Sequence, residues 1–309
     1  MLTIYLEAPF AAFRVFSAGW YRPTSTFLSP SAAYGLLMNI AGVETRLAEE
    51  SEEHDGKTPA QVASILREAG YGRSTLNVFT HMSGPDEDMF AHSADEWGNL
   101  AVADFNTIAI HCRAGPDTRM LSRSPGLPDN AFYHDGNITK QEIRAATLAA
   151  LIPMPGQLLW DVGAGHGTVA IEWMRSDPKG TTRAIAIEKN ANRVGTMQDN
   201  ALALGVPDLE ILEGKAPEAL EDLDTPDAVF IGGGLTTADM MATCWGKLYP
   251  GGRLVANSVT FEGEKILIEW AEVTDGELVR FEISHGGALG FFKGWEPGKP
   301  VTQLRTTKK

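Results

Sequence analysis

The run Leu158-Leu-Trp-Asp161-Val-Gly163-Ala-Gly165-His166-Gly167-Thr168 constrains the fold of this chain more than any other stretch. An apolar run meets an acid, three glycines follow at alternate positions, and a helical pattern then sets Ala170, Trp173 and Met174 on one side. A strand that turns so tightly into a helix needs glycine where φ is positive or where a ligand approaches bare backbone. Further strands are expected over 184–188, 209–212, 228–231 and 253–257. Helical stretches from Thr168 and through Val194, Met197, Ala201 and Leu204 separate the first of them. Such alternation implies a doubly wound α/β fold of Rossmann-like type, with a mainly parallel sheet covered on both faces. Ahead of it, Thr139-Lys-Gln-Glu142 reads as a capping box opening a helix with Ile143, Ala146, Ala150 and Leu151 on one face, stopped by Pro153. The tail, 278–307, reads as a β-hairpin added at the sheet edge.

A glycine loop alone also fits a dinucleotide site. Two acids favour S-adenosylmethionine instead. Asp161, ahead of the first glycine, suits the methionine ammonium and would repel a pyrophosphate, and Glu188, at the end of the second strand, is placed to take both ribose hydroxyls. The expected cofactor set is therefore Asp161, Gly163, Gly165, Gly167 and Glu188, with Gly214 to Ala216 after the third strand bordering the adenine. Asp227-Ala-Val-Phe-Ile-Gly232-Gly233-Gly234 puts three glycines in the crevice where open α/β sheets bind ligands, so a bulky planar substrate is expected over Gly232, Gly233, Gly234 and Leu235. His166 faces either solvent or substrate. Lys140 and Arg144, with His134 nearby, are candidate cations for substrate carboxylates. The fourth strand is followed by no Asn-Pro-Pro-Tyr run, which counts against amino-methylation of adenine or glutamine. It has no cysteine nucleophile near it either, which counts against covalent cytosine methylation. The seven histidines show no metal-ligand spacing.

The formal net charge of -14 repels nucleic-acid phosphates, and an anionic small substrate would need cations gathered inside its pocket. Cys112 and Cys244 cannot build a disulfide framework and are read as two buried free thiols in a reducing cytosol. No apolar run reaches the roughly 18 residues of a membrane span, and Met1-Leu-Thr-Ile-Tyr-Leu lacks the basic and apolar regions of a signal peptide. A cytoplasmic protein is expected.

The front of the chain has a different texture. Residues 2–7 alternate like a strand, and Ser29, Pro30 and Gly42 delimit a helix. Residues 44–57 form an acidic linker. Over 58–112 the pattern reads helix, strand, turn, strand: Val62, Ile65 and Leu66 share a helix face that Gly70 ends, 76–80 is a strand, Ser83-Gly-Pro-Asp86 a turn and 105–112 a strand. Pro116, Pro125 and Pro128 with Gly115 and Gly126 mark 113–129 as an inter-domain linker.

Taken with Gly126-Leu-Pro-Asp129, Phe132, His134-Asp-Gly136, Thr139-Lys140, Glu142, Asp161-Val-Gly163-Ala-Gly165, Phe230-Ile-Gly232-Gly233-Gly234, Pro250-Gly-Gly252 and Pro300-Val-Thr-Gln303, residues 130–309 resemble the C-terminal, CbiT-type domain of the precorrin-6Y C5,15-methyltransferase family of cobalamin (vitamin B12) biosynthesis. The resemblance implies S-adenosylmethionine-dependent methylation of a precorrin, an anionic tetrapyrrole, at carbon 15, with decarboxylation of the adjacent acetate, in a tetramer. Through Thr58 to Gly70 and Met82-Ser-Gly-Pro-Asp86, residues 58–112 are similar to the last part of the family's CbiE-type domain, which methylates carbon 5. The glycine-rich front of that domain has no counterpart here, so carbon-5 activity is not expected. Leu2 to Arg14, Tyr21-Arg-Pro-Thr and Ser29-Pro-Ser-Ala-Ala-Tyr-Gly35 resemble the start of the CRISPR Cascade subunit that grips the guide RNA handle. In a complete domain Arg14, Tyr21 and Arg22 would face RNA, whereas residues 1–57 are expected to be too short to rebuild that site. Two other readings stand beside the methyltransferase of precorrins: a tRNA or protein methyltransferase of similar sheet topology, and an RNA-handle binder acting through residues 1–43.

Overall fold

The structure, a computed structural model, describes residues 56–82, 84–116, 118 and 120–309, together with a two-residue antiparallel ladder of Phe13–Arg14 (β1) and Thr24–Ser25 (β2). The strand expected over 2–7, the helix from Ser29 to Gly42, Tyr21, Arg22 and the side chain of Arg14 lie outside the described residues. The chain divides into two units, Met1–Met120 and Leu121–Lys309.

In the first unit, Pro59 sits in the opening turn of α1 (Thr58–Glu68), where its missing N–H costs nothing. Three antiparallel strands follow, β3 (Thr75–Thr80), β4 (Asp88–Ser93) and β5 (Asn106–His111), in the order β4-β3-β5. Period-two alternation turns Leu76 and Val78 of β3 inward, onto a small core with Ala63, Ala94 and Trp97. Two expectations fail here. Ile65 is 65% exposed, because Pro59 and Ala63 hold the inner face of the helix. Strand β4 was not expected, and its residues show why: an edge strand with no buried side chain carries no apolar alternation to read. Cys112 is exposed, against the expectation of two buried thiols, while Cys244 is buried and its thiol is pushed up to about 12 by burial.

The second unit carries α2 (Gln141–Leu151), β6 (Leu158–Val162), α3 (Thr168–Ser176), β7 (Arg183–Glu188), α4 (Ala191–Ala203), β8 (Glu210–Glu213), β9 (Ala228–Ile231), α5 (Met240–Lys247), β10 (Arg253–Ser258), α6 (Phe261–Thr274), β11 (Glu277–Phe281), β12 (Ser284–Leu289), β13 (Phe292–Pro297) and β14 (Val301–Thr307). Seven of these strands form one sheet, in the order β11-β14-β10-β9-β6-β7-β8. The five from β10 to β8 run parallel, and β14 is antiparallel to both β10 and β11. The tail is thus an edge hairpin of β11 and β14, with a second hairpin, β12–β13, nested between them. Alternate strand residues feed two cores. Leu159, Ala186, Phe230 and Val255 pack with Leu148 and Leu151 of α2, Trp173 of α3 and Met197 of α4. Trp160, Val162, Ile185 and Ile231 pack with Met241 and Cys244 of α5 and Leu267 of α6. Each large apolar side chain so buried contributes about 1.5–3 kcal/mol. Among the described residues no helix is long and apolar enough to cross a membrane.

The capping box does not form. Helix α2 starts at Gln141 with no side-chain cap, and the Thr139 carbonyl instead accepts from the Arg144 guanidinium. Arg144 is a second correction: it is fully buried and is no substrate cation. Its Nε donates to Glu172 at 2.5 Å, its other nitrogens donate to Asp129 Oδ1 at 3.2 Å and to the Leu127 carbonyl, and Glu172 also accepts from the Gly126 and Leu127 N–H groups. Asp161 is likewise buried, on the core side of β6, where one carboxylate oxygen accepts from Ala170 N–H of α3 at 3.0 Å. Burial, with the nearby charge of Glu188 adding to it, pushes this carboxyl up to about 7.

Breaking the buried pair on one side leaves a charge without a partner. Arg144→Ala is therefore expected to cost about 3–5 kcal/mol in urea unfolding. A loss under about 1 kcal/mol, the scale of a solvated pair, would show that water reaches it. Asp161 generates a pH-dependent expectation. Its folded value lies above the ordinary 3.8, so the neutral form is favoured in the fold, and its contribution is complete below about pH 4 and lost as pH rises through about 7. In calorimetric melts, the advantage of Asp161→Asn over the parent chain should grow between pH 5 and pH 8, to several degrees on the scale of about 2–8 °C per kcal/mol. A difference that stays constant with pH would show that Asp161 does not titrate in this range.

Candidate functional site

Strands β6 and β9 are neighbours whose successors lie on opposite sides, so the sheet changes direction between them and leaves a crevice at their carboxyl ends. Two glycine loops meet there. Gly163 has φ of +71°, and a Cβ on it would stand 2.7 Å from Gly233 Cα, so only glycine lets the two loops touch. The Gly163 and Ala164 N–H groups donate to the Ile187 carbonyl at 2.9 and 3.0 Å, and Gly232 N–H donates to the Val162 carbonyl at 2.9 Å, which locks both loops to the strand ends. Around them opens a cavity of about 720 Å³.

Most of the expected cofactor residues line this cavity: Gly163, Gly165, Glu188, Gly214 and Ala216. The Glu188 carboxylate accepts Gly165 N–H on Oε2 and Asn190 N–H on Oε1, both at 2.9 Å, and keeps lone pairs for further donors. Gly167 does not reach the cavity. With φ of +76° it opens α3 and faces Met197, into which a Cβ would run. Asp161 also stays behind the loop and braces the start of α3, so it is no direct ammonium ligand. Of the expected substrate residues, Gly232, Gly233, Gly234, His166 and Lys140 line the cavity. Leu235 is buried instead, in the apolar core that includes Met240 and Met241 of α5.

His166 is neither solvent-facing nor idle. It is 3% exposed, its Nε2 stands 3.0 Å from Asp135 Oδ1, and its Nδ1 is buried without a hydrogen-bond partner. Arg193 grips the other Asp135 oxygen through Nε at 3.1 Å and a terminal nitrogen at 2.9 Å. His166 first, then Asn137 N–H and Arg193, hold the Asp135 carboxyl well below the usual carboxylate range.

The cavity wall is cationic in an acidic protein. Lys140, Lys189, Arg193, Lys215 and Lys299 line it, against Glu142 and Glu188. Lys140 is 3.5 Å from Asp129, whereas Lys189, Lys215 and Lys299 have no ion-pair partner among the described residues. Sequence reasoning missed Lys189, Arg193, Lys299, Asp135 and Asn257. For the first two a signal was present: Lys189 directly follows Glu188, and Arg193 lies one helical turn further on, beside the same strand end. Lys299 sits next to β14, and nothing local marks it, because only the nested hairpin carries it to the cavity. Among the described residues no group of three or more His, Cys, Asp or Glu side chains is arranged to hold a metal ion.

This geometry agrees with what the chain is similar to. A family profile described as a precorrin methyltransferase domain matches residues 130–308. A precorrin-6Y C(5,15)-methyltransferase [decarboxylating] of Sinorhizobium sp is 42% identical over 254 residues, 82% of this chain and 61% of that protein. A probable cobalt-precorrin-6B C(15)-methyltransferase (decarboxylating) of Pyrobaculum aerophilum is 33% identical over 184 residues, 58% of this chain and 93% of that protein. Among solved structures, the C-terminal domain of precorrin-6Y C5,15-methyltransferase from Rhodobacter capsulatus superposes with a TM-score of 0.57 at 42% identity, over 61% of this chain and all of that one. The chain spans less than two thirds of the longer curated relatives, 61% in the first case. Fold, glycine loops and matched span agree, and the chain belongs to the precorrin methyltransferase domain family.

Proposed function

We propose that this chain uses S-adenosylmethionine to methylate a precorrin at carbon 15 and promotes loss of carbon dioxide from the adjacent acetate arm. The observation that carries the reading is the set of five Lys and Arg side chains around a 720 Å³ cavity, in a protein of net charge -14. Such a wall suits a ligand bearing several carboxylates, and the paired glycine loops leave room for a broad, flat one. The assignment of 130–309 to this chemistry, of 58–112 to the end of a CbiE-type domain, of 113–129 to a linker and of 1–57 to a CRISPR-subunit-like fragment belongs to the same proposal.

The cofactor fits the residues present. Gly163 and Gly165 offer backbone that no Cβ obstructs, and Glu188 offers unused lone pairs beside them for the two ribose hydroxyls. Gly214 and Ala216 border the adenine. When bound, the cofactor supplies an electrophilic methyl group to a carbon nucleophile. The chain's residues do the positioning. Gly232 to Gly234 support the macrocycle, and Lys140, Lys189, Lys215 and Lys299 pair with its carboxylates. The walls exclude the water that would stabilise the acetate against decarboxylation. The bond to the carboxyl group breaks, carbon dioxide leaves, and the electron pair enters the conjugated macrocycle, so no further cofactor is needed.

Glu188→Ala should lose charge-assisted hydrogen bonds worth about 1.5–3 kcal/mol each, and S-adenosylmethionine affinity should fall about tenfold or more by calorimetry. Unchanged affinity would take Glu188 out of the site. Because this reading places the chemistry in the second unit, the chain should convert precorrin-6Y to a product heavier by one methyl and lighter by one carbon dioxide. A doubly methylated product in the mass spectrum would show that residues 58–112 retain carbon-5 chemistry.

A further inference from the structure

Resting on this reading of the site, we propose that Asn257 is a specificity-determining donor to a carboxylate arm of the substrate. Its amide is held with the N–H side available to the cavity by Gln303 and Arg305.

The chain of bonds leaves one orientation. Asn257 on β10 and Gln303 on β14 stand directly opposite each other in the antiparallel pair, on the sheet face that meets α2. Arg305 Nε–H donates to Gln303 Oε1 at 2.7 Å, and a guanidinium has no acceptor, so the glutamine must present its oxygen to Arg305 and its nitrogen away from it. Gln303 Nε2 then donates to Asn257 Oδ1 at 2.8 Å and to Thr147 Oγ1 at 3.1 Å. The Thr147 hydroxyl has given its own hydrogen to the Ile143 carbonyl at 2.8 Å, so its oxygen accepts only, and it takes Asn257 Nδ2 at 3.1 Å. Every acceptor in the cluster is now engaged. One Asn257 N–H remains without an acceptor among the described residues, and Asn257, unlike the fully buried Gln303 and Thr147, lines the cavity.

A neutral donor fixed in this way selects for an acceptor. In a cavity whose wall is rich in Lys and Arg, the acceptor with matching charge is a carboxylate oxygen. Asn257 touches an arm that the reaction leaves in place, since a hydrogen bond to the departing carboxylate would stabilise the ground state and oppose its loss. Gln303 and Arg305 are positioning residues: they act on the substrate only through the Asn257 amide.

The test uses the full chain, with S-adenosylmethionine calorimetry and steady-state turnover of precorrin-6Y. Asn257→Ala removes the donor, and KM should rise about tenfold while kcat and cofactor affinity hold. Asn257→Asp puts a negative charge in its place and should raise KM further. Gln303→Glu leaves Asn257 itself untouched but cannot donate, so the Asn257 amide turns its oxygen to the cavity and the same rise in KM follows. If Asn257→Asp or Gln303→Glu also loses cofactor binding or its melting transition, it has unfolded, and Asn257→Ala decides. An unchanged KM in Asn257→Ala, with cofactor affinity intact, overturns the proposal. So does a fall in kcat at constant KM, which would place the residue at the reacting carbon. Failure of the parent chain to bind S-adenosylmethionine or turn over precorrin-6Y would instead overturn the proposed function, and is read separately.

Discussion

The buried pair of Arg144 and Glu172 sets the frame in which the site forms. Residues 126–140 have no strand and only a 3-10 turn at Asp129–Ala131, yet Gly136, Asn137, Ile138, Thr139 and Lys140 make one wall of the cavity. A segment without ladder bonds must be held by side chains. Arg144 reaches Leu127, Asp129 and Thr139, and Glu172 receives Gly126 and Leu127, so one ion pair fixes this segment at both ends. Asn200 of α4 pins the middle by accepting from Tyr133 N–H at 2.7 Å and donating to its carbonyl at 3.0 Å. An apolar pair of the same volume would often be as stable. It could not offer five directional bonds to a stretch of irregular backbone.

The same economy links the glycine loops to the acids behind them. Glu188 and Asp161 both serve the turn from β6 into α3, but from opposite sides. Glu188 takes Gly165 N–H from within the cavity, and Asp161 takes Ala170 N–H from within the core. The deeper of the two, Asp161, is pushed up to about 7, chiefly by burial and further by the charge of Glu188. The acid that ends β6 therefore braces the loop from the core, and the acid that ends β7 lines the cavity.

From Leu158 onward the strands β6, β7 and β9 were legible because they are buried almost throughout and read as apolar runs, and α3 and α4 because of their period, whereas α5 and α6 were not expected. The glycine loops were legible for a related reason, since positive φ and backbone contact restrict the residue type. What escaped was set by tertiary partners. Arg144 looks like any helix-surface cation until Glu172, 28 residues away, is seen to meet it. Leu235 follows three glycines that line the cavity, but its side chain joins the core because of where α5 packs. Asp161 carries the right chemistry for an ammonium and points the wrong way, which follows from the two-residue period of β6: its neighbours Leu159 and Trp160 already divide the two cores, and Asp161 falls on the α3 side with Leu159.

The electrostatics then resolve what looks like a conflict between an acidic protein and the anionic ligand proposed for it. Surface charges act through solvent and are screened beyond about 8 Å at physiological ionic strength, so the net charge of -14 weighs on encounter more than on the bound state. Inside the cavity the distances are shorter and the surroundings less polar. There, a few unpaired ammonium groups outweigh many distant carboxylates, because interaction energy rises as both distance and effective dielectric fall. Of the acids near the cavity, Asp135 is tied to His166 and Arg193, and the two that line it, Glu142 and Glu188, are outnumbered by five Lys and Arg side chains. A neutral donor such as Asn257 adds what the lysines cannot, since their long stems follow a carboxylate wherever it sits. An amide fixed by Gln303, Thr147 and Arg305 suits one position only, so for the substrate proposed above charge would draw the polyanion in and the rigid amide would set its register.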